Sequence, residues 1–90
     1  MAKQFLAVYL KKGITNTEIP SGSMGLLHAD VERATGLVDP SAFINIERDK
    51  TGWTYGPMQK EVDLKALGQR LSKYPFFDSV GTVFGLEHSD

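Results

Sequence analysis

Ala42-Phe43-Ile44-Asn45-Ile46-Glu47-Arg48-Asp49-Lys50-Thr51-Gly52-Trp53-Thr54-Tyr55-Gly56-Pro57-Met58 is the stretch on which the fold turns. Residues 42–48 alternate as a strand does when one of its faces is buried. Asp49-Lys50-Thr51-Gly52 has turn composition, and Trp53 to Met58 resumes as a strand. A type I turn ending in a glycine at positive φ joins two such strands, and Gly52 takes that conformation without steric cost. The resulting hairpin sets Asp49 opposite Trp53 and Glu47 opposite Tyr55. Phe43, Asn45, Glu47, Trp53 and Tyr55 then share one amphipathic, aromatic face. Ala42, Ile44, Ile46, Gly56 and Met58 share the other, which is small and aliphatic.

Helical patterns flank the hairpin. Upstream, Met24, Leu27, Val31 and Ala34 follow i, i+3, i+7, i+10, one stripe of a helix. Ser21 or Ser23 is a candidate N-cap, and Gly36 a candidate left-handed stop with Leu37 folding back on the last turn. Downstream, Leu64, Leu67, Leu71 and Tyr74 repeat that template from an Asp63 cap to Pro75, which ends it. Further out, Phe5 to Leu10 reads as a buried strand and Ser79 to Leu86 as the last strand. Lys11 to Ser23 is long for a strand-to-helix connection and leaves room for a short extra strand near Ile14–Ile19.

The order β-α-β-β-α-β is the split βαβ pattern. It predicts one α+β domain over residues 1–90, a ferredoxin-like βαββαβ sandwich. Its four-stranded antiparallel sheet carries two helices on one face. The other face is left open, and alternation assigns Phe5 and Tyr9 to it beside Phe43, Asn45, Glu47, Trp53 and Tyr55.

Composition narrows the function. The chain has 90 residues, 41% hydrophobic and 23% charged, with a formal net charge of −1. These values are those of an ordinary globular chain and exclude a collagen-like repeat, a coiled coil or a disordered chain. The charge balance disfavours nucleic acid or an anionic membrane as a dedicated partner. There is no cysteine, so neither a disulfide nor a thiolate-held metal supports the core. That usage fits a reducing compartment and a cytoplasmic location. The apolar run Phe5–Leu10 meets Lys11 and Lys12 at once, unlike a signal peptide. No stretch approaches the roughly 20 apolar residues of a membrane span.

Candidates for chemistry are few. His28 and Glu32 stand at i,i+4, but no third metal ligand is evident, and an ordinary solvated pair explains them. Ser21-Gly22-Ser23 opens a helix, where free N–H groups favour an anion, yet the loop lacks the lysine of a phosphate-binding loop. The same serines near His28 form no nucleophile elbow. Neither a cofactor nor a catalytic residue is expected.

Lys50-Thr51-Gly52-Trp53-Thr54-Tyr55 resembles the first RNA-binding signature of the RNA-recognition motif family, over about six positions and without its second internal small residue. That resemblance implies base stacking on Trp53, with Tyr9 as a second platform. Glu47 on the same face opposes it, and Lys65, Arg70 and Lys73 lie behind the sheet on the second helix. By analogy of fold alone, dimeric α+β barrel enzymes enclose a pocket between paired sheets. Asn45, Glu47 and Tyr55 are the polar groups such a pocket offers. The reading favoured by the residues is a protein interaction module, pairing with itself as a homodimer or with a protein partner through its aromatic sheet face.

Overall fold

A computed structural model describes residues 2–38, 40–45 and 50–86, with side chains for all of these except 2, 16, 42–45, 50, 85 and 86. The chain runs β1 (Ala2–Leu10), a 3-10 turn at Asn16–Glu18, α1 (Ser21–Thr35), β2 (Ser41–Asn45), β3 (Lys50–Tyr55), α2 (Leu64–Leu71) and β4 (Phe77–Leu86). The strands lie in the order β2-β3-β1-β4, every neighbouring pair antiparallel.

The expected four-stranded ferredoxin-like sandwich is corrected by what each strand contributes. The sheet that carries the core is a three-stranded antiparallel unit, β3-β1-β4. It supplies Leu6, Val8, Leu10, Trp53, Tyr55 and Phe77 to the core, where Leu27 and Val31 of α1 and Leu67 and Leu71 of α2 meet them. β2 adds a five-residue backbone ladder along the outer side of β3. The arrangement is α+β, with both helices bearing on one face of the sheet.

The hairpin also differs from its sequence reading. Asn45 pairs with Lys50, Ile44 with Thr51, Phe43 with Gly52 and Ala42 with Trp53. The connection is therefore residues 46–49, outside the described residues, and not Asp49–Gly52. Gly52 lies inside β3, paired with Tyr9 on one side and Phe43 on the other. It is needed for close approach of two backbones: a Cβ built there would sit 1.9 Å from the Val8 carbonyl oxygen. The same glycine fits both readings, but moving the turn changes which residues face each other. Trp53 now pairs with Ala42, and this odd shift of register reverses the faces expected for β3.

α1 starts on Pro20 with no side-chain cap, so Ser21 and Ser23 lie inside its first turn instead of capping it. Its buried residues are Leu27, Asp30, Val31 and Thr35, while Ala34 is exposed, so the stripe is rotated from the expected one. Gly36 stops the helix in the left-handed conformation (φ 75°), and its N–H donates to the Glu32 carbonyl at 2.7 Å. α2 has eight residues, too few to hold a helix alone in water. Asp63 caps it by accepting from the Ala66 N–H at 3.1 Å, and burial of Leu67 and Leu71 keeps it on the sheet.

Asp30 ties the helices together. It is buried, accepts from the Tyr74 hydroxyl at 2.5 Å and pairs with Lys73 Nζ at 2.8 Å, with Arg70 Nε at 3.7 Å. The Lys73 ammonium, and then the Tyr74 hydroxyl, hold its carboxyl below the ordinary carboxylate value. Arg70 and Lys73 thus reach α1 from the end of α2, where the sequence suggests only a solvated helix face. The segment between β1 and α1 holds the 3-10 turn and no strand. Thr51 Oγ1 pins it by donating to the Ile14 carbonyl at 2.6 Å.

Candidate functional site

Alternation along β1 and its two partners defines both faces of the sheet. Leu6 pairs with Tyr55 and Val8 with Trp53, and these side chains lie under the helices. Phe5, Ala7 and Tyr9 point the other way. Their partners on that open face are Thr54 and Gly52 of β3 and Val83, Gly81 and Ser79 of β4. None of these residues carries a charge; Lys3, of the same parity and paired with Gly85, puts a charge at the end of the face. A solvated antiparallel face ordinarily alternates in charged and polar side chains, and the middle of this one does not.

The open face is shaped by rings lying over glycines. A Cβ on Gly81 would meet the Tyr9 ring at 3.5 Å, and one on Gly56 would meet the Phe5 ring at 3.5 Å. Phe5 and Tyr9 are half-buried in this way, and Ala7 between them is fully buried. Thr54, Ser79, Gly81 and Val83 are partly exposed around them. The result is a flat surface with short side chains at its middle.

The expected aromatic surface is only partly present. Phe5 and Tyr9 stand on the open face. Trp53 and Tyr55 do not: they are 3% and 1% exposed and belong to the core. Phe43 and Asn45 lie in β2, paired through the backbone with Gly52 and Lys50, their side chains outside the described set. Glu47 lies outside the described residues. The RNA platform inferred from Lys50–Tyr55 therefore loses its stacking residue, because Trp53 is covered by α1. A pocket using Tyr55 between paired sheets loses that hydroxyl in the same way.

His28 explains how two polar-tipped aromatics come to be buried. Its Nδ1 is 2.7 Å from the Tyr55 hydroxyl, and its ring meets the Trp53 ring edge-on at 5.1 Å between centroids. A buried tyrosine needs a partner for its O–H, and a histidine on the inner side of α1 supplies one. Burial lowers the basicity of His28 and pushes the Tyr55 phenol up, so both are neutral near pH 7. Position 28 falls at i+4 from Met24 and i−3 from Val31, inside the full width of an apolar stripe, and that spacing was the available signal. The pair is read as structural, because the His28 ring packs against Trp53 and Tyr55 of the core.

Ser21, Gly22 and Ser23 stand at the start of α1. The adjoining hollow, about 290 Å³, is lined by Ile14, Glu18, Ile19, Pro20, Pro75 and Phe76, and Glu18 makes it a poor place for an anion. Among the described residues there is no group of three His, Asp or Glu able to hold a metal, and no helix is long and apolar enough to cross a membrane. A groove of about 400 Å³ runs between α2 and β4 past Leu64, Gly68, Phe77 and Val80. Comparison with protein-family models, with curated proteins and with solved structures finds no match to this chain.

Proposed function

We propose that the protein is an association module that docks through the open face of its sheet, a second copy being the simplest partner. The observation behind this reading is the middle of the open face, where Phe5, Tyr9, Thr54, Gly81 and Val83 are partly exposed and none is charged. Covering it would remove apolar area from water at roughly 25 cal/mol per Å², part of which is lost to the rigid-body and side-chain order that association costs. Short residues at the centre let a second flat surface approach closely. Asp30, Arg70 and Lys73 cluster on the helix side, away from this face.

Thr54→Arg tests this. Thr54 is at the middle of the face, and its own hydroxyl makes only a long contact of 3.5 Å to the Ser41 carbonyl, so an arginine there alters the surface more than the fold. Sedimentation of the wild-type chain at about 100 µM is expected to show association, reduced at least tenfold by Thr54→Arg with an unchanged circular dichroism spectrum. A wild-type chain that stays monomeric and retains no protein partner rules the reading out.

A further inference from the structure

The outer edge of β4 presents a second surface, independent of the open face. We infer that two copies of this chain pair antiparallel along β4, about a two-fold axis at Thr82, and that Phe84 of each enters the groove beside Gly68 of the other.

The inference starts from the strand. β4 is ten residues long, FDSVGTVFGL, and closes the sheet on its side. Among the described residues no strand pairs with its outer edge. Edge strands are ordinarily blunted by lysine, proline or brevity, because an open ladder is a template for another strand. β4 contains no lysine and no proline, and its only charged residue, Asp78, stands at its start.

The side chains add a self-complementary fit. Phe84 is 75% exposed, the most exposed large apolar residue described. It points to the helix side of the sheet, as Val80 does, since Gln4 and Val8, their partners on β1, have the same parity. The groove between α2 and β4 passes Gly68 and Val80, where the helix has no side chain; a Cβ on Gly68 would be 3.7 Å from Val80 Cγ2. An antiparallel pair centred on Thr82 puts Phe84 of one copy directly opposite Val80 of the other. Opposed residues in an antiparallel pair share a face, so each Phe84 arrives at its partner's groove. One edge thus carries both projection and recess, as a two-fold interface requires.

Charge selects the antiparallel direction. In that pairing each Asp78 lies opposite residue 86 of the other copy, so the two carboxylates are separated by eight residues, about 27 Å, well beyond a Debye length. Side-by-side parallel pairing would bring them together.

The test uses the full chain carrying Thr54→Arg, in which contact through the open face is removed. With both surfaces intact the wild-type chain is expected to sediment at about 100 µM as species larger than a dimer; the Thr54→Arg chain is expected to stop at the edge-paired dimer, and adding Phe84→Glu is expected to weaken that dimer at least tenfold. Amide hydrogen exchange on the wild-type chain provides a second readout that does not depend on any variant. A paired edge protects consecutive amides through the middle of β4, whereas a bare edge protects only alternate ones. A monomeric Thr54→Arg chain with alternate protection in wild-type β4 overturns the inference. Association abolished by Thr54→Arg would support the open face alone, and association lost only on adding Phe84→Glu would support the edge alone.

Discussion

Trp53 and Thr54 are neighbours in β3, yet they belong to opposite faces of the sheet with opposite chemistry. Trp53 lies under α1, 3% exposed, in contact with His28. Thr54 stands on the outer face between Ala7 and Ser41. The covered face holds Trp53 and Tyr55, and His28 meets the Tyr55 hydroxyl there. The open face keeps short side chains and two rings laid over glycine. Aromatic residues with polar tips are common at interfaces, but here a helix histidine makes the interior equally suitable for them. The presence of Trp and Tyr in a strand therefore does not mark the docking side. What separates the faces is which one meets the helices, and the hairpin register decides that.

The largest test of this division is Gly52→Ala. A Cβ there would fall on the Val8 backbone, and relief requires β1 and β3 to part. We expect at least about 3 kcal/mol of destabilisation, measured by urea unfolding with both faces disrupted together. A near-neutral result would mean that β1 and β3 do not approach as described.

A smaller and more selective effect is expected at the part-buried His28–Tyr55 contact. Tyr55→Phe leaves His28 Nδ1 without its partner and is expected to cost about 1–3 kcal/mol. The same contact gives a pH signature. Burial lowers the folded pKa of His28 below its ordinary 6.5, so its contribution is present above that value and is lost as pH falls through the folded pKa. Stability should begin to decline below about pH 6.5 in wild type, and His28→Phe should flatten that part of the profile. Asp30, held below its ordinary value by Lys73 and Tyr74, adds a second loss at more acidic pH. Tyr74 behaves oppositely. Burial and its bond to Asp30 push its phenol up to about 12, so its contribution is intact below about pH 10 and lost above that.

The smallest effect is predicted for Lys73→Ala. Its side chain is 59% exposed while Asp30 is 7% exposed, and water screens a pair with one exposed member. The change should cost less than about 1 kcal/mol in thermal unfolding, because Tyr74 and Arg70 still face Asp30.

The helices were legible in the sequence because their signals are local. Asp63 before an i, i+3, i+7 pattern marks α2, and Gly36 after one marks the end of α1. The composition of β1 likewise points to a buried strand. The sheet was less legible because pairing is not local. The turn residues Asp49–Gly52 suit a hairpin loop, but Gly52 answers to the Val8 carbonyl, a contact from a strand more than forty positions away in the chain. That single misassigned glycine inverts Trp53 and Tyr55. Phe5 and Tyr9 were placed on the open face because β1 alternation does not depend on the turn. The His28–Tyr55 contact is not legible because it depends on the face of Tyr55, which the turn reading reverses.

The most direct measurement compares Trp53→Glu with Thr54→Arg, one step apart in the chain. Both variants would be followed by circular dichroism for folding and sedimentation for association. Trp53→Glu buries a charge among Val8, His28 and Tyr55 and is expected to abolish the folded signal. Thr54→Arg is expected to keep the fold and weaken association at least tenfold. A folded Trp53→Glu chain with lost association, beside an unfolded Thr54→Arg chain, would place the faces the other way round and contradict the account.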